Sequence, residues 1–194
     1  MLCYASCLGT VLDVVTLAEV CEEAVADLRV RILPALAAWL IAPVMDLRRD
    51  DTNTGQILEA YRFQHDRVQQ AAYALLKLSE RGRAHLQIGR FYYRTTGETE
   101  RDRQLFHIAS HVNRGAHLVE SREERERYFQ LNFAAALKAR EALAYGAARA
   151  YLKHAQDLFQ VDLWEHDPEV ATRFFRLLAE LEYLEGNVER SEVL

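Results

Sequence analysis

The chain has 194 residues, half of them hydrophobic and 27 % charged, enough for one large domain or two small ones with real cores. Its net charge of −5 gives it no general electrostatic pull toward DNA, RNA or anionic lipid, though a local basic patch stays possible. Only three prolines and eight glycines interrupt it, so long helices are permitted nearly everywhere.

Leu2 to Leu8 is apolar on all sides and stops at Gly9, as the tail of a helix whose partners lie upstream of Met1 would. Thr16 is placed to cap a short helix, with Glu19 completing a capping box. A second helix is predicted from about Cys21 to Leu40, with Val25, Leu28, Ile32, Leu36 and Leu40 at helical spacing and a kink or break near Leu33 imposed by Pro34. Leu40–Met45 then reads as a short strand, Arg48–Gly55 as a polar turn-rich loop, and Ala60–Gln64 as a second strand. Helix, helix, strand, polar loop, strand is the order of a winged helix, with the loop as its wing.

Asp66 is expected to cap a helix over Arg67–Leu78, and from there the pattern stays helical. Ser79 is expected to cap a helix through Arg94, and a further helix is expected from Glu100 to Asn113, stopping at Arg114-Gly115. Ser121 and Glu124 form a capping box before a long helix to Tyr145, ended by Gly146. Ala147–Phe159 is the next helix, Asp167 and Pro168 open another that runs to Leu184, and Gly186-Asn187 makes a turn. Ala147, Tyr151 and Ala155 fall four apart on one helical face, and residues 182–187 resemble the end of the first helix of a tetratricopeptide repeat and its turn. A plain helical bundle stays open beside a repeat solenoid. The fold class expected is mainly α, a winged-helix domain over 1–79 with a small β wing, then a helical-repeat region over 80–194.

No Gly-x-x-x-x-Gly-Lys-Ser/Thr loop and no Gly-x-Ser-x-Gly elbow occurs, so the chain lacks the minimum parts for phosphoryl transfer or elbow-type acyl chemistry. His107, His111 and His117 have the histidine spacing of a metzincin zinc protease, but Ile108 stands where the general-base glutamate would be and the turn glycine is displaced to Gly115. Ordinary helix-face histidines and no metal site are expected. Cys3, Cys7 and Cys21 are odd in number and lie in apolar helical stretches, which suits small buried side chains in a reducing cytosol. No apolar run approaches the ~20 residues a membrane span needs, and Met1–Thr10 has no basic start, so a cytoplasmic location is expected.

The most specific segment is Tyr61-Arg62-Phe63-Gln64-His65-Asp66-Arg67-Val68-Gln69-Gln70-Ala71-Ala72-Tyr73, which puts a His-Asp pair where a strand turns into a helix. On its own this reads as a helix cap beside a hydrogen-bonded histidine, or as a donor to a phosphate. The stretch resembles the winged-helix end of signal-transduction ATPases with numerous domains, the class that includes plant resistance proteins and large bacterial sensor kinases. The plant members carry Met-His-Asp here; Gln64-His65-Asp66 matches the His and Asp but not the Met. Bacterial hybrid kinases with an internal ATPase module carry segments similar to residues 63–73, and looser likeness extends to Leu8-Gly9, Asp13–Ala18, Leu86–Arg90, Val112–Gly115 and Glu182–Asn187.

The resemblance implies that His65 touches a phosphate of ADP bound in an upstream P-loop half of the same protein, with Asp66 as its positioning cap. It implies that the isolated chain is a non-catalytic regulatory fragment, holding no cofactor itself while the complete protein binds ADP or ATP. The helical region would then sense or bind a protein or peptide partner, with Phe91, Tyr92 and Tyr93 as candidate contacts. Two other readings stay open. A free-standing helical-repeat scaffold needs no nucleotide. A DNA-binding winged helix is disfavoured by Glu22, Glu23 and Asp27 in the expected recognition helix, against Arg29 and Arg31. No membrane partner is expected.

Overall fold

The computed structural model describes residues 1–44, 59–158, 163–184 and 186–187, the side chains of 165 and 166 excepted. The fold is mainly α-helical with one small antiparallel sheet. It separates into two compact units, Met1–Gly97 and Glu98–Leu194. No helix among the described residues is long and apolar enough to cross a membrane.

The first unit begins with α1 (Leu2–Leu8), β1 (Val11–Asp13), α2 (Val14–Cys21) and α3 (Val25–Ala37), and goes on through β2 (Ile41–Pro43) and β3 (Ala60–Phe63) to α4 (Asp66–Leu75) and α5 (Leu78–Thr95). The sheet order is β1-β3-β2. Leu12 faces Tyr61 across one ladder and Ala42 faces Arg62 across the other, which leaves Pro43, a residue without an amide donor, on an edge strand where none is needed. Strand β1 is absent from the sequence reading, since three residues are too few for an alternation to register. The wing expected at Arg48–Gly55, and Met45 of the expected first strand, lie outside the described residues.

Helix α1 packs on α2, α4 and α5, burying Ala5, Ser6, Cys7 and Leu8, so it has partners within this unit. Helix α5 belongs to the same compact unit, packed on α1 and α2. Leu12, Leu17, Leu28, Ile32, Ile41 and Ile88 fill the core, each no more than 1 % exposed.

The start of α2 is set by Asp13, not Thr16. Asp13 Oδ1 accepts from the amides of Val15 (2.6 Å) and Thr16 (3.2 Å), and Oδ2 accepts from the buried Thr16 hydroxyl (3.3 Å). Glu19, expected in a capping box, instead accepts from Arg94 at 2.7 Å. Glu22, in the left-handed region at φ 55°, separates α2 from α3, which is why one helix from Cys21 does not form. Helix α3 runs through Pro34 without a break in assignment and closes at Trp39 (φ 55°), where the Leu40 amide donates to the Ala35 carbonyl. Replacing Asp13 by Ala strips two amides and a buried hydroxyl of their acceptor. The expected cost is about 0.5–2 kcal/mol, read as a lower urea midpoint of the chain, with Asp13→Asn close to wild type.

The second unit comprises α6 (Glu98–Arg103), α7 (Leu105–Gly115), a 3-10 turn at Ala116–Leu118, α8 (Arg122–Glu141), α9 (Tyr145–Leu158), α10 (Leu163–His166) and α11 (Pro168–Leu184). The single helix expected over Glu100–Asn113 is two helices, divided at Gln104, whose side chain donates back to Glu100. Ser121 accepts from the Glu124 amide as expected, but Glu124 does not complete the box: buried, it accepts from the Tyr128 hydroxyl at 2.8 Å. Ser79 is not the cap of α5 either; Lys77 holds that place, and Glu80 reaches back to its amide at 3.1 Å.

The end of α8 also departs from expectation. Gly146 lies inside α9, and Leu143 takes the left-handed conformation at φ 59° that closes α8. Asp167 does cap α11, its Oδ1 accepting from the Glu169 and Val170 amides at 3.1 Å each. The buried residues of α9 are Ala148, Leu152, Ala155 and Leu158; of the face noted in the sequence, Ala155 is buried, Tyr151 half-buried and Ala147 exposed.

Helices α8 and α11 run parallel. Phe133 meets the Phe174 ring at 5.8 Å, and two turns later Arg140 meets Glu180 at 3.1 Å, so contact partners advance together with an offset of about 40 residues. Between them in sequence, α9 packs on both, and Arg149 on α9 pairs with the buried Glu182 of α11 at 3.5 Å. Gly186 (φ 85°) and Asn187 then close α11, the Asn187 side chain donating to Glu182 at 2.8 Å.

Candidate functional site

The segment 61–73 divides cleanly into residues that build the first unit and residues that face out. Phe63 and Ala72 are buried, and Val68 and Tyr73 pack on the core. Gln69 donates to the Ser6 carbonyl at 3.2 Å, fastening α4 to α1. The Tyr73 hydroxyl lies 3.1 Å from Nε2 of His85, itself 1 % exposed, and the Arg81 guanidinium sits 4.6 Å above the Tyr73 ring while donating to the Leu76 and Ala74 carbonyls. Arg81 and His85 were not singled out from the sequence, because their role depends on α5 folding back on α4. Most of the motif's specificity is therefore architectural.

The exposed residues of the segment are Arg62, His65, Asp66, Arg67, Gln70 and Ala71, and of these His65, Asp66 and Arg67 lie at the start of α4. His65 is the residue preceding the first turn, in extended conformation (φ −142°, ψ 138°), and Asp66 is the first helical residue. This corrects the expected cap: no side chain caps α4, and Asp66 neither closes the helix nor holds the imidazole. As an acid in the first turn it still opposes the positive end of the helix dipole. Neither side chain has a hydrogen-bond or ionic partner among the described residues; of the first-turn amides, that of Val68 donates to the His65 carbonyl at 2.9 Å. On β3, the central strand, the Tyr61 phenol donates to Glu59 at 2.6 Å, and burial together with that carboxylate pushes Tyr61 up to about 12. The same bond, with Arg29 at 2.7 Å, holds Glu59 below the usual carboxylate range.

Phe91, Tyr92 and Tyr93 are all half-buried. Tyr92 packs against the core and meets Phe91 edge-on at 5.8 Å, so the three do not present one continuous aromatic face. In the second unit His107 and His111 lie on one face of α7 with ring centroids 4.7 Å apart, edge to face. His111 is buried, and burial holds His107 below the usual imidazole value; His117 is exposed on the 3-10 turn. No three His, Cys, Asp or Glu side chains among the described residues are grouped to hold a metal ion. Cys7 is buried, Cys3 and Cys21 are half-buried, and all three are free, with burial raising the Cys21 thiol.

The sequence matches no family model and no solved structure. It is similar to a hybrid signal transduction histidine kinase (kinase G) of Dictyostelium discoideum, with 28 % identity over 158 residues, covering 69 % of this chain. The likeness is to part of a signalling protein. This chain spans only 5 % of that relative's length.

The second unit also carries three open grooves. One, of about 330 Å³, lies between α7 and α9 and is lined by Ser110, Asn113, Arg114, Ala147, Tyr151 and His154. Burial holds His154 below its usual value, partly opposed by Asp157. A second, of about 430 Å³, lies between α9 and α11, where Arg149 and Lys153 stand opposite Asp157 and Glu182. A third, of about 310 Å³, separates α8 from α11.

Proposed function

We propose that this chain is a non-catalytic regulatory segment of a signal-transduction ATPase or sensor kinase, whose first unit reports on a bound nucleotide and whose second unit engages a protein partner. The observation that carries the reading is the presentation of His65. Its imidazole stands exposed at the start of α4 with no partner among the described residues, where it and the Asp66 and Arg67 amides can donate to a phosphate held by a neighbouring domain. The element order α1, β1, α2, α3, β2, β3 with sheet order β1-β3-β2 supports a winged helix. The partial likeness to a signalling kinase supports the setting. ADP or ATP would be held mainly by the P-loop half of the complete protein; this chain's contribution is the His65 contact.

The outer face of α3 argues against nucleic acid. A recognition helix needs basic and polar groups toward phosphates and bases. Here Ala26, Val30, Leu33 and Ala37, at helical spacing, face out together with Trp39, which is 78 % exposed. Arg29 and Arg31 are committed to Glu59 and Glu23. Such a stripe suits contact with protein, as in a winged helix that packs on an ATPase core.

A charge-assisted hydrogen bond from His65 to a phosphate is worth roughly 1.5–3 kcal/mol. His65→Ala in the complete protein should therefore weaken ADP retention about 10- to 100-fold and raise basal activity, with His65→Gln recovering part of the loss. Equal ADP affinity in wild type and His65→Ala would sink this reading. It would favour the free-standing scaffold instead, for which the grooves of the second unit are the supporting feature.

A further inference from the structure

We infer that the groove between α8 and α11 is a docking site for an acidic peptide segment, recognised through its carboxylates. The inference rests on the reading of the second unit as a partner-binding arm. The two parallel helices leave an open trough of about 310 Å³, near the lower end of the roughly 300–1,000 Å³ of ligand sites. Its floor is closed: Phe133 and Leu177 are each only 3 % exposed. Half-buried Leu137 adds the remaining apolar surface, and the rest of the lining is charged.

Arg140, Arg173 and Arg176 line it, against a single acid, Glu180. Glu180 is spent on Arg140, with the guanidinium 3.1 and 3.4 Å from its two oxygens. Arg173 lies 5.6 Å over the Phe133 ring, a cation–π contact that leaves its hydrogen-bond donors available to a ligand. Arg176, one turn along the same exposed face of α11, has no ionic partner among the described residues. Glu169, one turn before Arg173, stands outside the trough.

The result is a trough with two more cations than anions on a chain whose net charge is −5. A carboxylate-rich segment is repelled by most of the surface and drawn to this one place, which supplies orientation as well as affinity. Two guanidinium forks one turn apart match carboxylates spaced along an extended peptide. The other two grooves lack this bias: the α9–α11 groove balances its cations with Asp157 and Glu182, and the α7–α9 groove holds one arginine and one histidine.

The test is fluorescence anisotropy on the full 194-residue chain with a labelled Glu-rich peptide, the same peptide with Gln for every Glu, and a single-stranded oligonucleotide of equal charge. The Glu peptide should bind, weaken steeply with added salt, and bind at least about tenfold better than the Gln peptide. Arg173→Glu/Arg176→Glu should abolish that difference. Both side chains are exposed, so the variant should keep the wild-type circular dichroism spectrum and melting temperature. Arg83→Glu, on the exposed surface of α5, is the control that should leave binding unchanged. Absence of Glu-peptide binding, equal binding of the Gln peptide, or binding that survives the double substitution overturns the assignment; tighter binding of the oligonucleotide overturns it in favour of nucleic acid. None of these outcomes moves ADP retention in the complete protein, so the His65→Ala experiment judges the nucleotide reading separately.

Discussion

Phe174→Ala is expected to cost the second unit about 3–5 kcal/mol, a large part of the roughly 5–15 kcal/mol that stabilises an ordinary domain. Phe174 is 1 % exposed and sits among three other rings: Phe129 at 5.7 Å, Phe133 at 5.8 Å and Phe175 at 5.4 Å. Truncation removes both the transfer energy of the ring and the contacts its neighbours lose to the cavity, and a helix backbone capped at Asp167 and closed at Gly186 cannot collapse far to refill it. The measurement is urea unfolding followed by the fluorescence of Trp164, which stacks on Phe175 at 5.6 Å and belongs to this unit. The other tryptophan, Trp39, is exposed in the first unit, so Trp39→Phe supplies a background in which Trp164 reports alone. A loss below about 1 kcal/mol would mean that the four rings do not form the packed centre of the unit.

How much of this was legible in the sequence depended on whether the deciding contact was local. The α11 start was legible because Asp167 and Pro168 act within one turn of themselves. The helix–strand–strand–helix order of the first unit was legible because hydrophobic periodicity changes visibly along it. The cap of α2 was misplaced by three residues because Asp13 and Thr16 are both good capping residues, and the choice was made by β1, whose pairing with β3 ends at Asp13. The stop at Leu143 was illegible for a different reason: a leucine in the left-handed region is disfavoured locally, and the glycine three residues on was the natural place to look. The tertiary packing of α9 on α8 overrides that preference.

The same division holds for the candidate site. His65 was found because a strand-to-helix junction with a histidine is visible in one dimension, and the structure leaves that histidine exposed. Asp66 was given a capping role that needs non-helical backbone, and it fails because the helix begins at Asp66 itself. Phe91, Tyr92 and Tyr93 drew attention as three adjacent aromatics, but neighbours on a helix point about 100° apart, and Tyr92 turns into the core. The arginine trough could not be read from sequence at all. Arg140 and Arg173 are far apart along the chain, and only the offset of about 40 residues between parallel α8 and α11 brings them to one groove.

Asn132→Leu should destabilise the second unit by about 1–3 kcal/mol, although it replaces a polar residue at a fully buried position by an apolar one of similar size. Asn132 and Asn113 exchange two hydrogen bonds, with Asn113 Nδ2 donating at 2.7 Å and Asn132 Nδ2 returning the bond at 2.9 Å. Asn132 Nδ2 also donates to the Tyr128 carbonyl at 2.9 Å. This reciprocal amide pair joins α7 to α8 and favours the register in which both amides are satisfied. Leucine at 132 leaves the half-buried Asn113 amide facing an apolar surface, and the cost is that of its unmet donor and acceptor. The double variant Asn113→Leu/Asn132→Leu should be more stable than the sum of the single changes predicts, by about 1 kcal/mol or more, since removing both partners leaves nothing unpaired. Asn132→Asp should be worse than Asn132→Leu, because it buries a charge and removes the donor to Asn113. Urea midpoints of the four proteins give the coupling directly. Additive costs would mean that the two amides act independently and that shape alone registers α7 against α8. Because Asn113 also lines the α7–α9 groove, a strong coupling would make one wall of that groove dependent on a single pair of side chains.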